Sequence, residues 1–200
     1  MKSAAQERLP EAQFKLGILY LKGAGIEKEV LKGQNLLLQA AKQDHAEAQF
    51  ELGHLYRTGT GVTRDGAEAI RWYKSAADLG YGQAMLSLGI MYDGGEVGTP
   101  KDPNIAISWY RQAAEKGIAQ ACSILGVKYF SGEDVISDPI NGYVWALLAV
   151  QASEKGNNES FEQKTMYEHN RRTIFEHLNP EQITRAEQLA GQWAATHWQP

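Results

Sequence analysis

The sequence predicts an all-α protein, a solenoid of about four helix-turn-helix repeats closed by a C-terminal pair of capping helices. Three observations predict it. Gly17, Gly53, Gly89 and Gly126 recur at 36, 36 and 37 residues, and each is followed three positions later by a tyrosine: Tyr20, Tyr56, Tyr92 and Tyr129. Trp72, Trp109 and Trp145 recur at 37 and 36 residues. Asp65, Asp102 and Asp138 precede them at the same spacing. A period of this length is one helical hairpin copied along the chain, since each copy buries its apolar face only against a neighbour.

Each unit opens on a first helix. Aligned on the glycine, the copies read EAQFKLGILY from Glu11, EAQFELGHLY from Glu47, QAMLSLGIMY from Gln83 and QACSILGVKY from Gln120. Ala12, Leu16, Leu19 and Tyr20 fall at i, i+4, i+7 and i+8, the spacing of one apolar helical face. A glycine inside a helix costs about 1 kcal/mol relative to alanine, so its recurrence predicts a close approach of two backbones. The second helix offers a small partner at Gly33, Ala69, Ala106 and Gly142.

The loops KGAG, TGTG, GGEVG and SGED supply glycines that stop the first helix with positive φ. The second helix then starts on an aspartate N-cap, followed directly by Pro103 and Pro139 in two copies. Glu29 stands there in the first copy and predicts a less sharp start. The second helix carries the tryptophans and then small pairs: Ala40 and Ala41, Ala76 and Ala77, Ala113 and Ala114, Ala149 and Val150. The tryptophans are expected to form the core between repeats, with Trp109→Ala costing roughly 3–5 kcal/mol.

These residues carry a family resemblance. The segment AEAQFELGHLYRTGTGVTRDGAEAIRWYKSAADLG, from Ala46 to Gly80, resembles the Sel-1-like repeat, a branch of the tetratricopeptide-like superfamily, and the match covers about residues 11 to 155. The first copy departs from it with Leu36 and Leu37 in place of tryptophan and tyrosine, and the third has an extra loop residue. The resemblance implies a right-handed α-solenoid whose first helices line a concave wall. It also implies a non-enzymatic adapter for a protein or peptide partner in bacterial signalling, envelope or host-interaction pathways.

The repeats are placed at 11–46, 47–82, 83–119 and 120–156. Lys2, Ser3, Ala4 and Ala5 reproduce Lys74, Ser75, Ala76 and Ala77 two periods earlier, so residues 1–10 read as the end of a preceding helix or a half-repeat. The chain as written predicts a cytoplasmic protein, and a periplasmic or secreted one if an N-terminal segment was removed. Residues 157–200 read as capping helices and a tail. A polar helix from Phe161 to Leu178 has Met166, Ile174 and Leu178 as core contacts. A second helix opens on Asn179 and Pro180 and aligns Ile183, Ala186, Ala190 and Trp193 on one face. The stretch from Ala194 to Pro200 is expected to fray, with Trp198 able to pack back.

Composition narrows the function classes. A hydrophobic content of 43% against 22% charged is too apolar for disorder, and no apolar run approaches the ~20 residues of a membrane span. A formal charge of -4 gives no basic field, so nucleic acid is not an expected partner. The lone Cys122 falls in a helix and reads as a buried thiol. Five histidines, at 45, 54, 169, 177 and 197, show no zinc spacing and read mostly as solvated surface, so no metal or other cofactor is expected. Gly59, Thr60 and Gly61 lack the Gly-Lys-Ser/Thr of a phosphate loop. A cysteine-rich branch of the resembling family has been proposed to bind or hydrolyse β-lactams. That suggests, as the alternative, an envelope protein that binds cell-wall fragments or is a weak hydrolase. No serine here is followed three positions later by lysine, and the disulfide cysteines of that branch are absent.

A partner-reading surface is sought where the copies differ, because positions fixed by packing look alike. On the first helix such a stripe runs through Ile18, Leu21 and Lys22, then His54, Arg57 and Thr58, then Ile90 and Asp93, then Val127 and Phe130. Spacings of three and four put each set on one face, and its mixture of apolar and charged groups suits a peptide or helix from another protein. The competing reading takes Ile18, Ile90 and Val127 as secondary core. A monomer is the expected state.

Overall fold

The computed structural model describes residues 9–96, 98–156 and 159–198, and among them there are ten helices and no strand. Four helix pairs follow one another in the sequence, α1 (Pro10–Lys22) and α2 (Val30–Ala41), α3 (Ala46–Thr58) and α4 (Gly66–Asp78), α5 (Gly82–Gly94) and α6 (Pro103–Glu115), α7 (Ala119–Ser131) and α8 (Pro139–Lys155), and the first, second and fourth of them pack as hairpins. Two further helices, α9 (Phe161–Phe175) and α10 (Pro180–His197), end the chain. This is an α-solenoid. The helices gather into two compact units, Met1–Lys101 and Asp102–Pro200, divided between α5 and α6. The half-repeat expected at Lys2 to Ala5 lies outside the described residues.

Repetition in the sequence becomes repetition in the backbone. Gly23, Gly59, Gly95 and Gly132 all take the left-handed conformation after a first helix, and each donates its N–H to a carbonyl of the last turn. The loop then closes through the recurrent tyrosine. The carbonyls of Tyr20, Tyr56 and Tyr129 accept the backbone N–H of Glu29, Asp65 and Asp138 at 3.0, 2.9 and 2.8 Å. Asp65 caps the N–H groups of Ala67 and Glu68, Asp102 that of Ile105, and Asp138 that of Asn141. Glu29 makes no such cap, in line with the less sharp start expected there, and pairs with Lys32 at 3.0 Å.

A second turn joins hairpin to hairpin. Asp44, Gly80 and Gly117 occupy equivalent positions at φ 58, 84 and 76°. The next residues, His45, Tyr81 and Ile118, donate their N–H to the carbonyls of Ala40, Ala76 and Ala113. The first alanine of each pair thus accepts the bond that reverses the chain, and its methyl is fully buried.

In the first unit the core joins Leu37, Ala40, Ala41, Ala48, Leu52, Leu55 and Trp72. Polar groups cross it as well. Gln13 is buried and bonds Gln39 of α2 and Gln43 in the turn that follows it, and Gln49 donates to the carbonyl of Ala41 at 3.0 Å. In the second unit α9 and α10 pack against α8, and Asn170 of α9 donates to Ser123 of α7 at 3.0 Å. These two helices cover the last hairpin, as the sequence led us to expect. Both start on capping boxes, Ser160 with Gln163 and Asn179 with Gln182.

Four expectations are corrected. Trp72 and Trp145 are buried as expected, but Trp109 is half-buried, so its truncation should cost less than about 3–5 kcal/mol, and the neighbouring Tyr73, Tyr110 and Tyr143 are the essentially fully buried rings. On α9 the core contacts are Tyr167 and Ile174, two turns apart, while Met166 points out and is 45% exposed and Leu178 is half-buried beyond the helix. The described end of the chain is not frayed. Ala194 is buried, the helix runs to His197, and the Trp198 indole donates to the carbonyl of Ala114 at 2.9 Å. His45 is not a solvated histidine, since it caps α3 through Nδ1 and meets Glu11 through Nε2 at 2.8 Å. Cys122 is buried as expected, and burial pushes its thiol pKa upward, away from reactivity.

Candidate partner-binding face

In the first unit, α1 and α3 present the variable stripe. Ile18 is half-buried against the core, and together with Lys22 it lines a recess of about 330 Å³ with Phe14, Lys15, Leu19 and Glu51. Phe14 and Ile18 come one turn apart on α1, so they share a face, and Phe14 is fixed by stacking on His45 at 4.8 Å. Lys22 lies exposed in the last turn of α1, and Lys15 pairs with Glu11 at 2.7 Å. The Glu11 carboxyl is held below its ordinary pKa by hydrogen bonds from Lys15 and His45. The recess therefore combines an apolar floor with charges of both signs at its rim.

Other members of the stripe have different surroundings. His54 is exposed. The Thr58 hydroxyl turns back to the carbonyl of His54 at 2.8 Å and meets the Thr60 hydroxyl at 2.9 Å. The Arg57 Nε donates to both Glu96 oxygens at 3.1 Å, and Arg64 lies 3.8 Å from the same carboxylate. Burial opposes the Arg57 charge, but Glu96 more than offsets it and raises the guanidinium pKa. Ile90 and Asp93 are half-buried on α5. In the second unit Val127 is 40% exposed, and Phe130 is half-buried with its ring 5.1 Å from His177.

One register of the stripe has a packing explanation. Leu21, Arg57, Asp93 and Phe130 each follow the helix glycine by four residues. A methyl built on Gly33 would stand 2.8 Å from Leu21 Cγ, and one on Gly142 would stand 3.1 Å from Phe130 Cβ. Where the second helix has glycine, the first covers it with a bulky apolar side chain. At these two positions the residue four after the helix glycine belongs to the hairpin seam.

The structure also brings in residues that the stripe omitted: Phe14, Lys15, Leu19 and Glu51. A signal existed, because Lys15, Glu51, Ser87 and Ile124 occupy one register and differ in every copy. Among the described residues, no group of three His, Cys, Asp or Glu side chains is placed to hold a metal ion, and no helix is long and apolar enough to cross a membrane.

Comparison with known proteins agrees with this architecture. A family model for the Sel1 repeat matches four times, over residues 10–45, 46–81, 82–118 and 119–154. A Sel1 repeat protein from Oxalobacter formigenes is 32% identical, with 86% of this chain and 76% of that one covered at a TM-score of 0.72. The protective antigen c5321 of uropathogenic Escherichia coli, which displays an SLR fold, is 22% identical with a TM-score of 0.60. That match covers 98% of this chain and 55% of the antigen, so this chain spans about half of the antigen's length. The immunity protein Pa5087 from Pseudomonas aeruginosa is 18% identical over 86% of this chain and 71% of that one, with a TM-score of 0.52. These last two likenesses show the fold alone. No curated protein matches the chain. Sel1 repeats generally mediate protein–protein interaction and are typically non-enzymatic scaffolds. With four repeat matches spread over residues 10–154, the chain belongs to the Sel1 repeat family.

Proposed function

We propose that the chain is a non-enzymatic adapter, and that the first-helix face around α1 and α3 takes an amphipathic segment of a protein partner in the concave groove expected for this fold. The recess lined by Phe14, Ile18, Leu19 and Lys22 carries this reading. It accepts an apolar side chain from the partner, and exposed Lys22 attracts an acidic group beside it. His54 and Thr58 extend the same face along α3. Arg57 contributes through its ion pair with Glu96, which a partner carboxylate would have to displace. Leu21 supports the groove from within the seam of the first hairpin.

The test is capture of the partner by native-host cross-linking mass spectrometry, followed by quantitative binding of that partner to the Ile18→Glu, Lys22→Glu double variant. The expected result is cross-links concentrated on Lys15 and Lys22 and a loss of affinity of at least about tenfold, equivalent to about 1.4 kcal/mol. The melting temperature should stay near that of the parent chain. Unchanged affinity in a folded double variant overturns the reading, as do cross-links that avoid α1.

A further inference from the structure

The recess on α1 and α3 lies beside Phe14, and the second hairpin shows why it stays open there. The equivalent Phe50 has two rings against it, Tyr73 at 5.6 Å and Tyr81 at 5.2 Å. In the first hairpin His45 stands in the place of Tyr81 and Leu37 in that of Tyr73, so among the described residues Phe14 has one ring beside it, the imidazole at 4.8 Å. Leu19 is opened as well. It is half-buried, whereas Leu55 and Met91 at the same register are buried. Apolar surface of the first copy therefore reaches solvent in the recess that Lys22 and Glu51 also line.

The charges on the rim differ in what they already hold. Lys15 is neutralised by Glu11 at 2.7 Å. Among the described residues, Lys22 and Glu51 make no ion pair and no side-chain hydrogen bond. They stand at different levels of the groove. Glu51 occupies on α3 the register that Lys15 occupies on α1, and Lys22 is seven residues further along α1, about 10 Å at the helical rise. Ile18 lies midway. The negative end is reinforced by Glu47, which is one turn before Glu51 and faces His45 at 3.4 Å. Burial first, and then Glu47 and Glu51, holds the Tyr81 phenol above its ordinary pKa, so both carboxylates act in the same place.

A helix laid along this recess meets unlike charges at its two ends. A diacidic segment sets one carboxylate against Glu51, and a dibasic segment sets one ammonium against Lys22. A segment with one charge of each sign satisfies both, whichever way it runs. Two turns of helix span the distance, so its charges belong seven positions apart, with a large apolar side chain between them to enter beside Phe14 and Ile18. Resting on the docking reading of this face, we infer that it selects a partner helix carrying one basic and one acidic residue seven positions apart around a single apolar anchor. Glu51 is the residue that rejects a purely acidic helix, and Lys22 the one that rejects a purely basic helix.

NMR titration of the isotope-labelled full chain with stapled helical peptides of about fifteen residues tests this. Each peptide has a central tryptophan, with charged residues four positions before it and three positions after: lysine and glutamate, two glutamates, or two lysines. The expected result is saturable shifts over Phe14 to Lys22 and at Glu51 with the mixed peptide, at a Kd of about 1 mM or tighter, and binding at least about threefold weaker for the other two. Single substitutions should re-sort the panel. Glu51→Lys should make the diacidic peptide the tightest binder and Lys22→Glu the dibasic one, each with an unchanged melting temperature. No saturation by the mixed peptide up to about 10 mM overturns the inference. So do equal affinities for the three peptides, or a ranking that neither substitution changes. The docking reading fails by a different result, unchanged affinity of the captured partner for the Ile18→Glu, Lys22→Glu variant.

Discussion

The first and second hairpins use the same helix glycine for different purposes. In the first, a methyl on Gly17 would stand 3.0 Å from the backbone oxygen of Gly33 and 3.2 Å from Leu37 Cδ2. In the second, the three atoms nearest a methyl on Gly53 all belong to the Tyr73 ring, the closest at 2.6 Å. Leu37 and Tyr73 occupy the same register, as do Gly33 and Ala69. A glycine on each helix brings two backbones together, whereas an alanine on the second helix leaves the groove to a large ring. The fourth hairpin follows the first, with Gly126 facing the Gly142 oxygen at 3.1 Å. An invariant residue in a repeat can therefore answer two steric demands.

The largest expected effect is at the ring itself. Tyr73→Ala empties a fully buried site and should cost about 3–5 kcal/mol in denaturant unfolding, while Trp109→Ala, at a half-buried site, should cost clearly less. Equal costs would return the seam to the tryptophans. Next comes Gly53→Ala, at about 1–3 kcal/mol for overpacking against the ring, less about 1 kcal/mol of helix propensity regained. Adding Tyr73→Leu should reverse much of that loss in a double-mutant cycle. The corresponding cycle of Gly17→Ala with Leu37→Ala should show little rescue, because the Gly33 carbonyl remains in place. Similar rescue in both hairpins would erase the distinction between them.

A smaller effect separates the caps. Asp65→Ala removes a carboxylate that holds two backbone N–H groups and should cost about 0.5–2 kcal/mol, whereas Glu29→Ala removes none and should fall below that range. The smallest effect is acidic. A carboxyl whose folded pKa is lowered contributes stability above its unfolded pKa, which is lost as pH falls through the folded value. For Glu11 that places a slight drop in melting temperature below about pH 4, absent in Glu11→Gln. The partners at stake are Lys15 and His45.

Much of the fold was legible because backbone geometry repeats with residue type. The loop glycines, the aspartate caps and the alanine pairs each answer a local demand that recurs every 36 or 37 residues. The core was less legible. Trp109 and Tyr110 are neighbours in sequence, and periodicity alone does not say which of the pair faces inward. On α9 the same one-residue ambiguity separates Met166 from Tyr167. The role of His45 was hidden because its partners, Glu11 and Phe14, lie on another helix. The candidate face was legible only as a stripe. Leu21 and Phe130 each lie over a glycine of the second helix, a pairing visible only once the two helices are packed. Lys15 and Glu51 vary with no such seam behind them, and they line the recess with Ile18 and Lys22.

The central functional claim is that a partner docks on the first helices while the seams stay closed. Amide hydrogen exchange of the full chain, alone and saturated with its cross-linked and identified partner, tests this most directly. The account predicts added protection in peptides covering Phe14 to Lys22 and Glu47 to Thr58, with α2 and α4 unchanged. Protection confined to α2 and α4, with α1 and α3 exchanging as in the free chain, would contradict it.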